Sequence, residues 1–255
     1  MALLQAGGEA MVDWYSLFNR RLIGPFIRRR VRATVVGRAN LPQTGGFILA
    51  MGSHTTEVES PVVCAWLPER QLHFYAKIEY WRRGGLKGGL QRWFMNAIGD
   101  IPVDRGNIRA ARDAVTAGAA LLMRGEALAV YPEGTRSPDD KLHGAYLGTA
   151  YTLIEVARAK GSTKGTPLRI PIIPVGLIGM EDASSPKGGF WPLRCSVMIK
   201  IGKPIYLSPM QMMELRTGLM RKHVAQQLTD QMMREIARLS GKEYDPHPLP
   251  IPGAN

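Results

Sequence analysis

Residues 46–51 read GFILAM, an apolar run without a charge, and the chain then changes character to GSHTTEVESP over residues 52–61. A short apolar run of this kind fits a strand buried on both faces. The polar decapeptide behind it is then a strand-end loop. Ser60-Pro61 reads as an N-cap with proline at the first helical position, opening a helix to about Leu67. The same alternation continues along the chain. Residues 71–77 alternate as a strand, and residues 86–97 are helical after a glycine-rich turn. Asn107 opens a helical pattern that ends near Arg124 with Gly125 as the stop. Residues 127–131 read as a buried strand, 146–160 as a helix and 195–201 as a strand. Residues 168–178 are apolar but carry Pro171 and Pro174, which predicts an edge or irregular strand. Residues 211–239 read as one or two methionine-rich amphipathic helices whose methionines fill the core. Strands alternating with helices predict an α/β fold. The expectation is a single domain with a largely parallel central sheet flanked by helices, with its chemistry at the C-terminal strand ends. The organisation expected is an N-terminal amphipathic helical segment at 1–35, a main domain at 36–205, and C-terminal helices and tail at 206–255 packing on the same domain.

The chain has 255 residues, enough to bury one core without staples. Cys64 and Cys195 lie far apart and match no metal or redox spacing, so a reducing setting without a disulfide scaffold is expected. No run approaches the length of a membrane-spanning helix, and the first ten residues, MALLQAGGEA, lack the pattern of a secretory signal. The net charge is +12 and unevenly placed. No Asp or Glu occurs between Trp14 and Thr56, a stretch holding Arg20, Arg21, Arg28, Arg29, Arg30, Arg32 and Arg38. Such an excess attracts anionic lipid, phosphorylated substrates or nucleic acid. Met11, Trp14, Tyr15, Phe18 and Leu22 fall at helical spacing beside these arginines. That stripe suits a helix lying in a membrane interface. It suits equally a helix packing on its own domain with a solvated basic face. No nucleic-acid motif accompanies the charge, so nucleic acid is not an expected partner.

The strand ends carry the residues with chemistry. His54 and Glu59 are five apart, which on a continuous helix would separate them by about 140°. Both fall in the expected loop, where carboxylate and imidazole can meet. A carboxylate on one ring nitrogen fixes the tautomer and leaves the other nitrogen to take a proton. The competing reading makes Thr56-Glu57-Val58-Glu59 a capping box. A second strand end, YPEGTRSP at 131–138, can offer backbone N–H groups, the Thr135 hydroxyl and the Arg136 guanidinium to a phosphate, or be a turn with a surface arginine. A third, GDIPVDR at 99–105, carries Arg105, and Lys77 ends its own strand.

In order and spacing, SHTTEVESP, GDIPVDR, YPEGTRS and IPIIPVGLIG resemble the motifs of the glycerolipid acyltransferases, specifically the 1-acyl-sn-glycerol-3-phosphate acyltransferases. The resemblance covers about residues 30 to 205. The acid is Glu59 where that family usually has Asp, Ser53 stands where it often has Asn, and the basic residue often found after PEGTRS is not evident in LHGAYLGTA. These departures leave the acceptor open.

What the resemblance implies is an enzyme that moves a fatty acyl group from a thioester, acyl-CoA or acyl-carrier protein, to the sn-2 hydroxyl of 1-acyl-glycerol-3-phosphate. The product is phosphatidic acid for phospholipid biosynthesis. His54 would be the general base and Glu59 its orienting acid. Lys77, Arg105, Glu133, Gly134, Thr135 and Arg136 would form the acceptor phosphate site, with Glu133 organising its loop. No metal and no resident cofactor are implied. Expected partners are a lipid surface, the lysophospholipid acceptor and an acidic acyl-carrier protein, with the enzyme held monotopically or peripherally on the cytoplasmic face of the cell membrane. Other lysolipid or glycolipid acceptors, and a non-catalytic membrane-surface protein, are the alternatives.

Overall fold

The computed structural model describes residues 14–104, 106–139, 141–161, 168–184, 192–216 and 220–250. Met11 and Arg105 lie outside them. The central sheet has seven strands in the order β1-β8-β7-β2-β5-β3-β4. These are β1 (Val31–Val36), β2 (Phe47–Gly52), β3 (Leu72–Lys77), β4 (Ile101–Val103), β5 (Ala127–Val130), β7 (Ile172–Ile178) and β8 (Cys195–Ile201). All neighbouring pairs are parallel except β7 with β8. The GFILAM strand is β2, and every residue of it is buried. It lies between β5 and β7, with Ile48 opposite both Leu128 and Ile172. Its uninterrupted apolar sequence follows from helices covering both faces.

One face carries α6 (Ile108–Met123), α7 (Gly148–Ala159), α8 (Pro209–Arg216) and α9 (Arg221–Ser240). Leu122, Leu153, Met232, Met233 and Ile236 meet Ile48 and Leu128 there. The other face carries α3 (Glu59–Trp66) and α2 (Ile23–Arg30), where Ile27, Val62 and Val63 meet Leu49 and Phe47. Leu49 has no exposed surface, and its truncation to Ala would cost about 2–5 kcal/mol. Asn107, expected to open this helix, is its N-cap and accepts from the N–H groups of Arg109 and Ala110.

Three expectations are corrected. The strand at 172–178 is interior, paired with β2 on one side and β8 on the other. Pro174 is tolerated because of where its missing N–H falls. Its carbonyl accepts from Gly202 N–H on the β8 side, beyond the last β7–β8 pair, Val175 with Ile201. Helix α3 starts at Glu59, so Ser60 is not its cap and Pro61 sits inside the first turn. The N–H groups of that turn have no helical partner in any case, so proline forfeits nothing there. Finally, the segment before β1 is not one regular helix. Its described part is an α-turn, α1 (Trp14–Ser16), then a π-helical stretch Leu17–Leu22, then α2.

The arginines of this segment also have local partners. Helix α3 ends in orphan carbonyls, and side chains from the preceding chain satisfy them. Asn19 Nδ2 donates to Cys64 O, Arg28 to Ala65 O and Arg38 to Trp66 O, at 2.6–2.7 Å. Arg20 donates to Pro68 O and Arg30 to Pro192 O. Cations at a helix C-terminus also complement its dipole. Arg21 and Arg29 remain exposed. Strand β1, which the sequence reading did not single out, extends across residues 35 and 36 and pairs along its whole length with β8.

Candidate active site

Strands β2 and β5 are neighbours, so the loops leaving their C-terminal ends meet. The chain leaves β2 through Gly52, where a Cβ would lie 2.7–2.8 Å from the Leu142 and Ile236 side chains. Only glycine fits under that packing. His54 follows in the loop and Glu59 opens α3, where its side chain is fully buried. Glu59 Oε2 lies 2.7 Å from His54 Nδ1. Its Oε1 accepts from Thr55 N–H at 2.7 Å, Thr55 Oγ1 at 2.8 Å and Thr56 N–H at 2.9 Å. The capping-box reading is met only in half, because Glu59 accepts from Thr56 N–H but the Thr56 hydroxyl gives no bond in return. One Glu59 oxygen gathers the loop N–H groups before the helix, while the other holds the imidazole.

The His54 ring stacks on Tyr131, centroids 4.0 Å apart and planes 21° from parallel. Tyr131 is tied through its hydroxyl to Ser60 Oγ at 3.1 Å, and burial beside the Glu59 charge pushes its phenol pKa well up. Nδ1 is thus held by the carboxylate and the ring plane by the stacking on Tyr131. The His54 side chain keeps 18% of its surface open.

The 131–138 loop supports this histidine from its backbone side. Glu133 is fully buried, and burial raises its carboxyl pKa, partly offset by N–H groups of His143 and His54, each 3.0 Å from one oxygen. Ser137 N–H donates to His54 O at 2.7 Å. Gly134 has φ +71°, and its N–H closes a turn to Tyr131 O at 3.0 Å. That N–H is therefore not offered to a phosphate, contrary to the simplest reading of the motif. The N–H groups of His54, Thr55 and Thr56 are likewise committed to carboxylates. Arg136 is half exposed, with Nη1 3.8 Å from Glu57 Oε1. So loose a surface pair is worth about 0–1 kcal/mol and can yield to a ligand.

The structure thus joins the His54–Glu59 loop to the loop that holds Glu133, Gly134, Thr135 and Arg136, through the bonds of His54 to Glu133 and Ser137. Lys77 is exposed at the end of β3, on the same sheet edge but beyond β5 from β2. Arg105 lies outside the described residues. Tyr131, Ser137 and His143 join the site without having been singled out as members. Tyr131 and Ser137 flank PEGTR, which was a signal; His143 had none. Among the described residues, no group of three His, Cys, Asp or Glu side chains is arranged to hold a metal ion.

Comparison with known proteins bears on this geometry. The family model described as Acyltransferase matches residues 32–178, more than half of the chain. The chain belongs to the acyltransferase family. Both loops of the site fall inside the match. Among solved structures, this acyltransferase resembles the 1-acyl-sn-glycerophosphate (LPA) acyltransferase PlsC from Thermotoga maritima. The TM-score is 0.55 and the identity 22%, over 84% of this chain and 77% of that one. The two share the fold, a single α/β domain with a mostly parallel sheet between helices. No curated protein matches this acyltransferase.

Proposed function

We propose that this acyltransferase moves a fatty acyl group from a thioester donor, acyl-CoA or acyl-carrier protein, to the sn-2 hydroxyl of 1-acyl-glycerol-3-phosphate, forming phosphatidic acid. The observation that carries the reading is the His54–Glu59 pair, in which a fully buried carboxylate holds Nδ1 at 2.7 Å while the imidazole keeps part of its surface open. A glycerol hydroxyl is a poor nucleophile at neutral pH. His54 Nε2 takes its proton as the oxygen attacks the thioester carbonyl, and Glu59 stabilises the imidazolium that results. General-base catalysis of this kind contributes about 10²–10⁴-fold. The thiolate leaves when the tetrahedral intermediate collapses, and the imidazolium returns the proton to it. Arg136 and Thr135 bind the acceptor phosphate, and Lys77 and Arg105 belong to the same proposed phosphate site. The test is a panel of lysolipids with both donors, read by mass spectrometry, for wild type and His54→Ala. Phosphatidic acid from the wild type alone is expected. Turnover above a tenth of wild type in His54→Ala would refute the role of His54, and preference for another lysolipid would replace the acceptor.

The acceptor lives in a bilayer, yet no helix among the described residues is long and apolar enough to cross one. We infer peripheral attachment to the cytoplasmic face of the membrane through α5 (Gly85–Ala97) and the aromatic residues packed on it. Leu86, Leu90 and Trp93 are 95%, 67% and 44% exposed at i, i+4 and i+7, one stripe of a helix that starts at the catalytic edge of the sheet. Trp14 and Phe18 meet Trp93 edge-to-face, and exposed Arg83, Lys87 and Arg92 flank the stripe. Apolar insertion ringed by basic residues suits an anionic headgroup layer. Co-sedimentation with anionic vesicles should fall sharply in Leu86→Asp/Leu90→Asp and with rising salt. Unchanged recovery of that variant would reject this face.

A further inference from the structure

We propose that His143 is a positioning residue for acyl transfer, closing a ring of hydrogen bonds that fixes the backbone of His54. The inference rests on His54 being the base. His143 is buried on β6 (Leu142–Gly144). From His54 the ring runs through its N–H to Glu133 Oε1 at 3.0 Å. The other oxygen of Glu133 accepts from His143 N–H at 3.0 Å. The ring nitrogen His143 Nε2 lies 2.7 Å from Asp139 Oδ1. Asp139 in turn faces Ser137, whose Oγ is 3.0 Å from Asp139 Oδ1 and 2.7 Å from its carbonyl oxygen. Ser137 N–H returns to His54 O at 2.7 Å. Both polar groups of the His54 backbone are thus held, the N–H by Glu133 and the carbonyl by Ser137, and both holders converge on the His143–Asp139 pair.

The other side of His143 is closed by β9 (Tyr244–Pro248), which pairs with β6. Asp245 Oδ2 stands 4.0 Å from His143 Nδ1, and Asp245 is itself bonded to His247. Gly144 admits β9 closely, since a Cβ there would lie 2.2 Å from Pro246 O, and Tyr146 hydroxyl donates to Leu249 O at 2.6 Å. Lys141 pairs with Glu243 at the same seam. The ring is therefore fixed by one charge-assisted bond, from Nε2 to Asp139, with the Asp245 carboxylate farther off on the Nδ1 side and the main-chain N–H on Glu133. The one hydrogen bond of the His143 ring goes to Asp139, and neither ring nitrogen contacts His54. Its effect on chemistry therefore passes through Glu133 and Ser137 to His54. A misplaced base costs rate even when the misplacement originates far from the reacting atoms.

Two variants separate bonding from bulk. His143→Phe fills the space but offers no ring N–H, whereas His143→Gln places an amide nitrogen near the position of Nε2. Steady-state kinetics and hydrogen exchange at the His54 and Ser137 amides are measured on both, alongside His54→Ala. His143→Phe should lower kcat about 10–100-fold with both KM values nearly unchanged. It should also speed exchange at those two amides, and His143→Gln should restore most of both. Wild-type kcat in His143→Phe, with or without faster exchange, overturns the positioning role. So does equal loss in the Gln and Phe variants. Retained activity in His54→Ala marks the failure as one of the catalytic reading instead, because the exchange measurement reports the ring independently of turnover.

Discussion

Replacing Glu59 by Gln keeps the size of the side chain and changes one atom, yet the site gives that atom no acceptable place. Four donors converge on the Glu59 carboxylate. Thr55 N–H, Thr55 Oγ1 and Thr56 N–H share Oε1, and His54 Nδ1 meets Oε2. If Gln keeps its oxygen toward the threonines, its NH₂ faces Nδ1, and that nitrogen must become an acceptor. The ring proton then moves to Nε2, the nitrogen that abstracts the substrate proton in the mechanism proposed above. If the amide is flipped, the histidine tautomer survives, but two backbone N–H groups face an NH₂ group in a buried place. Each unsatisfied donor costs about 1–3 kcal/mol. The first arrangement is cheaper, so a folded protein with the wrong tautomer is expected. Its kcat should fall by about 10²–10⁴-fold, the range of a general base, with little change in KM for the donor. Thiol release from the acyl donor, followed alongside a thermal melt, reads both effects. A melting temperature near wild type together with turnover within tenfold of wild type would falsify the tautomer argument.

Glu59→Asp shortens the arm but preserves the acceptor, so measurable activity should return in the same assay. Arg136→Lys should raise the KM of the phosphorylated acceptor and leave that of the thioester nearly unchanged, because the ammonium lacks the planar fork that grips phosphate; an unaltered acceptor KM removes Arg136 from the phosphate site. Asp100 offers a stability test away from the chemistry. Burial holds its carboxyl up at about 7, while its Oδ1 accepts from Phe74 N–H at 2.9 Å. The folded state therefore keeps a proton that the unfolded chain releases near the ordinary value of 3.8. This contribution is full below about pH 4, is lost as pH rises toward about 7, and stays lost above that. The full difference would be about 4 kcal/mol, and with part of Asp100 at the surface about 2 kcal/mol is expected. Asp100→Asn keeps the acceptor and removes the charge, so denaturant melts should show a gain at pH 8 that shrinks toward pH 4; equal gains at both would contradict the assignment.

The sheet was legible because β2, β5 and β7 are covered on both faces and so read as apolar runs. The edge or irregular strand expected over residues 168–178 proved to be an interior strand for a local reason. A proline excludes a central strand only if its nitrogen faces a paired neighbour, and which residues pair is not written in the strand itself. Strand β9 was missed because YDPHP carries no alternating apolar pattern; it is held by Gly144 and by polar contacts from β6. In the site, His54 and Glu59 were legible from their place after a strand, whereas His143 was not, since its partners Glu133 and Asp139 lie in the loop before it and Asp245 on the distant strand β9. The arginine-rich stretch shows the limit of charge counting. Composition registers Arg20, Arg28 and Arg38 as surface charge, and only the fold discloses that they answer the carbonyls in and just beyond the last turn of α3.

The position of β2 has a consequence for synthesis. Ile48 is made early, but its neighbours Leu128 and Ile172 arrive much later, and Glu133 and Asp245 come from still other parts of the chain. The histidine loop therefore spends most of translation without the walls that shape it, on a nascent chain whose most apolar strand has no partner. Pairing between residues so distant in sequence is slow to form, and an unpaired strand of this kind is a site of misassociation until it does. Acyl transfer should accordingly appear only after α9 and β9 have left the ribosome, and nascent chains stalled earlier should bind chaperones through residues 47–52.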